Sequence, residues 1–282
     1  MTTLISWITY DQNKQASIYV ASDSRLSWTK HETWDSGRKV YCSDKYPDIL
    51  GYCGDVLFCS QVISQVMTYI DSCEVFEDLN CPHKRFQLIC NLIERSFGEY
   101  PAKYAFDSFK IIYVTRIEKY CFAAFLITWN KRNGWNFEEL AIPDSTETVL
   151  VAGSGAQEYN DRYSQEYSSS DIGGYSRSFY SCLYRHVTSG NDPLTGGAIQ
   201  LAGVFNAKPA KHHGVVMKEK RYVYGMEVDD TEKINSVRWV NENFENCDGN
   251  DLKRFETAQR QPLPRNISKS LGNASHRKPL PR

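Results

Sequence analysis

The sequence predicts an α+β fold in which antiparallel sheets stack against each other with helices on the outside. Three observations carry this reading. Short strand-like runs open the chain, two amphipathic helical stripes follow, and a second set of strand-like runs is interrupted by a further helical stretch. Segregated runs of this kind favour stacked sheets over an alternating βαβ fold. The 18 Tyr and 13 Phe supply side chains that suit a pleated, half-buried surface. At 282 residues the chain is long enough to bury a large core without staples.

The elements follow in order. Thr2 to Ile8 alternates in part, Asp11-Gln12-Asn13-Lys14 is a polar turn, and Ile18 to Ala21 is apolar, so a β-hairpin starts the chain. Gly37–Cys42 and Ile49–Phe58 give further short strands, broken by Pro47, Gly51 and Gly54. The period then changes. Cys59, Val62, Ile63, Val66, Met67 and Ile70 recur at helical spacing, and Phe86, Ile89, Leu92, Ile93 and Phe97 repeat the pattern after Pro82, a residue suited to a first helical turn. Strands are expected at Ile111–Val114 and Cys121–Ile127, a hairpin turn at Asn133-Gly134, and return strands at Trp135–Ile142 and Val149–Ala152. Tyr175, Phe179, Cys182, Leu183, His186 and Val187 form another helical stripe, and Ala198–Phe205, Gly214–Met217 and Arg221–Val228 close with strands. Past Asp229 the pattern weakens, with Val237, Val240 and Phe244 spaced for one short helix. The organisation is thus a domain over 2–228 and a C-terminal extension over 229–282. The extension is expected to be disordered from about Thr257, where Pro, Ser, Asn and basic residues dominate and Pro-Leu-Pro-Arg occurs at 262–265 and again at 279–282.

Composition excludes several classes. A net charge of −1 gives no overall pull toward nucleic acid, and the six Lys or Arg with no acid from Thr257 onward make a basic tail on a mildly acidic body. Nine cysteines with no C-x-x-C pair read as reduced, mostly buried thiols in a cytoplasmic protein. No signal peptide and no run long enough to span a membrane is visible. Asn266-Ile267-Ser268 and Asn273-Ala274-Ser275 match the glycosylation pattern by chance on this reading. His212-His213 lacks a third ligand at metal-binding spacing, and no G-x-S-x-G elbow or phosphate-binding glycine loop occurs.

The chemistry-bearing residues start at the terminus. Thr2 is small enough for removal of Met1 to leave it first in the chain. Its hydroxyl would then have the α-amine of its own residue, with an ordinary pKa of about 7.7–8.0, as proton acceptor. Asp23 ends the second apolar run, and Lys39 follows sixteen residues later. An Asp beside a Lys holds the cation in place, and the cation's field favours a deprotonated hydroxyl at Thr2. Gly51-Tyr52-Cys53-Gly54-Asp55 lies ahead of the first helical stripe, Gly153-Ser154-Gly155 opens a later helix, and Asn191-Asp192-Pro193-Leu194-Thr195-Gly196-Gly197 is a turn with an acid and a hydroxyl.

Taken together and in this order, the five motifs resemble those of proteasome β-type and HslV-type subunits, members of the N-terminal nucleophile hydrolase family, over roughly residues 2–228. Thr-Thr at the start and the Asp-to-Lys interval follow the family pattern. The first hairpin is about five residues longer, and Thr195 stands where the family has Ser. The resemblance implies a four-layer α/β/β/α sandwich and a threonine-type peptidase that needs no metal or organic cofactor. It implies roles for Thr2 as nucleophile, Asp23 and Lys39 as tuning groups, and Gly54 as oxyanion donor, with Gly51 one alternative. Ser154, Asp192 and Thr195 would orient the terminal amine. The expected partners are a peptide or unfolded-protein substrate, further copies of the chain in a ring-like homo-oligomer, and an unfoldase. Two other readings stand beside it: a non-catalytic scaffold or ring subunit of the same fold, and an acylase-type amidase, against which Lys39 argues.

Overall fold

The computed structural model describes residues 2–29, 31–101, 105–229 and 233–258. Two sheets lie face to face between two helical layers, giving the four-layer α/β/β/α sandwich. The first sheet contains β1 (Leu4–Asp11), β2 (Lys14–Ser22), β10 (Glu147–Ala152), β11 (Gln200–Phe205), β12 (Lys211–Met217), β13 (Lys220–Val223) and β14 (Met226–Glu227), in the order β10-β1-β2-β11-β12-β13-β14. The second is an antiparallel meander of β5 (Val40–Cys42), β6 (Asp48–Gly54), β7 (Ser108–Glu118), β8 (Cys121–Asn130) and β9 (Gly134–Leu140). A small hairpin, β3 (Leu26–Ser27) with β4 (Thr33–Trp34), stands apart from both.

Strand alternation builds the three core layers. On β1 and β2, Leu4, Ile8, Ile18 and Val20 point into the space between the sheets, where they meet Ile49, Cys53, Ile112 and Val114 of the second sheet. Their neighbours Ile5, Trp7, Tyr19 and Ala21 point the other way, toward α3 (Ala156–Arg162) and α4 (Ser176–Ser189). Leu50, Tyr52, Ile111 and Tyr113 pack under α1 (Leu57–Cys73) and α2 (Pro82–Glu99). Because both faces of each central strand are covered, the runs read as continuous apolar stretches with only weak polar alternation.

The helices obey their stripes. All six α1 residues singled out by spacing are buried, and Asp55 caps the helix by accepting from the Phe58 amide at 2.8 Å. Pro82 opens α2, and Asn133-Gly134 forms the turn between β8 and β9. Between α3 and α4 the chain makes a π-helical turn at Tyr163–Tyr167, inside a segment whose sequence reads only as polar and Gly-containing.

The expected short helix at Val237, Val240 and Phe244 is not present. Arg238–Val240 is a strand, β15, paired in parallel with His213–Val215 of β12, and β16 (Asn246–Cys247) pairs with it. Trp239 is buried and its indole N–H donates to Ile234 O at 2.7 Å. A three-residue strand is too short to display alternation, and the open edge of β12 supplies hydrogen bonds that override the helical spacing. This parallel pair is also the one departure from antiparallel pairing among the described strands. Met1 and the basic tail over 259–282, with its Pro-Leu-Pro-Arg repeat and glycosylation-like motifs, lie outside the described residues.

Candidate active site

The register of the first sheet sets the site. Leu4 pairs with Ser22 on one side and Ala152 on the other, so the two residues before it, Thr2 and Thr3, lie between the ends of β2 and β10. Asp23 follows β2 directly and Gly153-Ser154 follows β10. The two threonines take one each: the Thr2 backbone N–H donates to Ser154 Oγ at 3.3 Å, and Asp23 Oδ1 accepts the Thr3 N–H at 3.0 Å.

Asp23 is fully buried and fully engaged. Oδ1 also accepts from Lys39 Nζ at 3.0 Å, while Oδ2 accepts from the backbone N–H groups of Arg25 at 3.2 Å and Gly196 at 3.1 Å. A buried carboxylate needs this set of donors to offset the loss of water. Lys39 has no solvent exposure, and burial lowers its pKa against the opposing pull of Asp23. Gln200 fixes its backbone: Oε1 accepts from the amides of Lys39 at 2.8 Å and Val40 at 3.2 Å, and Nε2 donates to Gly37 O at 2.7 Å. Pattern reading passed over Gln200 because it opens β11 as one polar residue in an apolar run.

Thr2 is itself 2% exposed, yet it lines a cavity of 1130 Å³ walled by Leu26, Trp28, Cys53, Gly54, Leu57 and Phe109 among others. Of the two glycines considered, Gly54 borders this cavity, whereas Gly51 lies inside β6 opposite Val40 and Ile112. Gly54 has φ +107°, and a Cβ there would come within 2.5 Å of Ser108 O, so any other residue would be both strained and blocked. Cys53 lines the same cavity as Thr2. Burial pushes its thiol up to about 11, against the pull of Lys110 and Lys39, so it stays protonated at neutral pH.

Asp192 and Thr195 sit in the loop between α4 and β11. Thr195 Oγ1 donates to Asp192 Oδ2 at 2.7 Å and lies 3.0 Å from Thr3 Oγ1. Asp192 thus acts through the Thr195 hydroxyl on Thr3, one residue beyond the amine the two were expected to orient. Thr3 Oγ1 is also 2.9 Å from His186 Nε2. Sequence reasoning placed His186 on a helical stripe but gave it no role, and gave none to Thr3. His212 and His213 are successive on β12 and so face opposite ways, one against Tyr224 and the other against Tyr19. Among the described residues no cluster of three metal-ligating side chains occurs, and no helix is long and apolar enough to cross a membrane. All nine cysteines are unpaired, and six of them are buried.

The four-layer architecture is shared by solved structures whose sequences differ widely from this one. Anbu from Yersinia bercovieri, described as an ancestral beta-subunit, shares it at a TM-score of 0.54 and 10% identity, with 99% of each chain covered. A Gly-1 mutant of Anbu from Hyphomicrobium sp. strain MC1 superposes at 0.52 with 11% identity over 100% of both chains. Eukaryotic HslV from Trypanosoma brucei matches at 0.45 and 8% identity, covering 72% of this chain and 99% of its own. At these identities the likeness is one of fold. No protein-family model and no curated protein sequence matches the chain.

Proposed function

We propose that the chain is a threonine-type peptidase in which Thr2, freed by removal of Met1, is the nucleophile. The observation that carries this reading is a wholly buried Lys39–Asp23 pair whose carboxylate holds the Thr3 amide, next to a Thr2 that lines a large cavity. Burial lowers the pKa of Lys39 against the pull of Asp23, and perturbed buried cations of this kind occur where proton transfer is tuned.

In the proposed reaction Thr2 Oγ attacks the substrate carbonyl carbon as its proton passes to the Thr2 α-amine. The field of Lys39 stabilises the developing oxygen charge on Thr2, and Asp23 holds Lys39 in place. The Gly54 N–H receives the oxyanion. Collapse expels the amine fragment, which takes the proton from the Thr2 amine, and leaves an ester on Thr2. Water, deprotonated by the same amine, then releases the acyl group as a carboxylic acid. Ser154 steadies the Thr2 nitrogen, and Asp192 with Thr195 acts one residue further on, through Thr3.

Finer expectations belong to the same proposal. The substrate is an extended peptide or unfolded polypeptide, the working form is a ring-like homo-oligomer that can take an unfoldase partner, and nine unpaired thiols suit the reducing cytoplasm. The test is turnover of unfolded-protein and peptide substrates by the oligomeric fraction, with intact mass reporting loss of Met1. Thr2→Ala removes only the hydroxyl and should abolish hydrolysis with the fold intact, while Thr2→Ser should retain part of it. Full hydrolysis by Thr2→Ala would remove the nucleophile assignment and leave the scaffold reading in its place.

A further inference from the structure

Behind Thr2 runs a chain of buried polar contacts whose hydrogen-bond directions can be worked out. Asp192 has only acceptors to offer Thr195, so the single Thr195 hydroxyl proton is committed to Asp192 Oδ2 at 2.7 Å. Thr195 can then only accept from Thr3, 3.0 Å away, and this commits the Thr3 proton. The remaining contact of Thr3 Oγ1, to His186 Nε2 at 2.9 Å, must therefore be donated by the histidine. The whole relay runs one way: His186 Nε2–H to Thr3, Thr3 to Thr195, Thr195 to Asp192.

Two more observations mark this as a built arrangement. A Cβ at Gly155 would come within 2.0 Å of Thr3 Oγ1, 2.8 Å of His186 Nε2 and 2.9 Å of Thr195 Oγ1, so the second glycine of Gly-Ser-Gly clears the space in which the three meet. His186 is 2% exposed, and its other ring nitrogen, Nδ1, has no hydrogen-bond partner and faces Glu158 Oε1 at 3.7 Å. Burial lowers the pKa of His186, with Glu158 opposing, which leaves a neutral ring with one proton. The relay assigns that proton to Nε2.

We propose that His186 is a positioning residue for the N-terminal nucleophile: its Nε2–H, fixed in direction by the Asp192–Thr195–Thr3 relay, pins Thr3 and through it Thr2. Thr3 is gripped at both ends, by Asp23 Oδ1 at its amide and by His186 and Thr195 at its hydroxyl. Its peptide bond carries Thr2, so rotation of Thr3 would swing the nucleophile relative to Gly54. The outer helix α4 thereby sets the aim of a residue just ahead of β1. This inference deepens the threonine-peptidase reading and rests on it for its consequence in catalysis, though the hydrogen-bond direction itself does not.

The experiment has one arm that needs no turnover. Nitrogen-15 spectra of the histidine rings at neutral pH should show His186 protonated on Nε2 and bare on Nδ1; the opposite tautomer would overturn the proposal. Exchange of the Thr3 amide proton should accelerate in His186→Phe and in the isosteric Thr3→Val, and return toward the wild-type rate in His186→Gln, whose side-chain amide reaches the Thr3 hydroxyl as a donor. In the assembled protein kcat should fall about 10²-fold in His186→Phe with KM little changed, as expected for a nucleophile displaced by a fraction of an ångström to an ångström. The Gln variant should recover most of that loss. Wild-type exchange in both His186→Phe and Thr3→Val, or equal losses in the Phe and Gln variants, would contradict it. Absence of hydrolysis in the wild type would count against the peptidase reading, while the tautomer and exchange arms would still decide the relay.

Discussion

Among the described residues two carboxylate–cation pairs are buried, Asp48–Arg85 and Asp23–Lys39, and they differ in the cation each employs. Asp48 on β6 meets Arg85 of α2 at 3.1 Å, accepts the Tyr113 hydroxyl at 2.5 Å, and Arg85 spends its other donors on the carbonyls of Leu79 and Phe76. Asp23 meets Lys39 at 3.0 Å beside the N-terminal threonines. Arginine keeps its charge at any pH the fold survives and offers a rigid fork of donors; lysine is a compact cation that gives up its proton when buried. Burial raises the pKa of Asp48, with Arg85 and Tyr113 opposing. The same physics at Lys39 lowers the pKa of a cation near Thr2 and the cavity. One pair ties α2 and the turn before it to the second sheet. The other, on the proposed reading, acts on the Thr2 nucleophile.

The largest effect that tests this contrast is on turnover. Lys39→Ala should lower hydrolysis by about 10²–10⁴-fold, the range for removing a group that assists proton transfer. It should also destabilise the fold by about 3–5 kcal/mol, because Asp23 would stay buried without its cation. Steady-state kinetics and denaturant unfolding read the two separately. Arg85→Met should carry a similar stability loss, about 3–5 kcal/mol, with kcat per folded molecule unchanged. Equal catalytic losses in both variants would erase the distinction between the pairs. In the double variant Asp23→Asn, Lys39→Met both charges are gone, so much of the stability should return while hydrolysis should not, since an uncharged pair of similar size can pack where an orphaned charge cannot.

The smallest effect is on the pH dependence of stability. With its folded pKa below the ordinary 10.5, Lys39 holds fewer protons in the folded state than in the unfolded chain over the interval between the two values. The wild type should therefore gain stability on the double variant as pH rises through that interval, in urea titrations at stepped pH. A wild type that loses ground there would mean that Lys39 is not depressed.

Much of this was legible in the sequence because it is written in local spacing. The α1 stripe, Pro82 at the start of α2, the Asn133-Gly134 turn and the sixteen-residue step from Asp23 to Lys39 each report a period or an interval within one or two elements. The groups that complete the site are long-range by construction. Gln200 reaches Lys39 across 161 residues, Gly196 reaches Asp23 across 173 and His186 reaches Thr3 across 183, and only the register of β1, β2 and β11 brings them together. His186 carried a helical-stripe signal that is the same for a packing residue as for a donor. The strand at Arg238–Val240 was hidden for a related reason: its identity comes from the edge of β12, and apolar spacing alone imitated a helix.

Whether Thr2 reacts can be read by covalent trapping. The mature oligomer would be treated with an epoxyketone or boronate peptide and examined by intact mass and peptide mapping. The expected outcome is loss of Met1, one adduct per chain located on Thr2, and no adduct in Thr2→Ala. A wild-type chain with a free Thr2 amine that stays unlabelled, or an adduct that maps to Cys53, would contradict it.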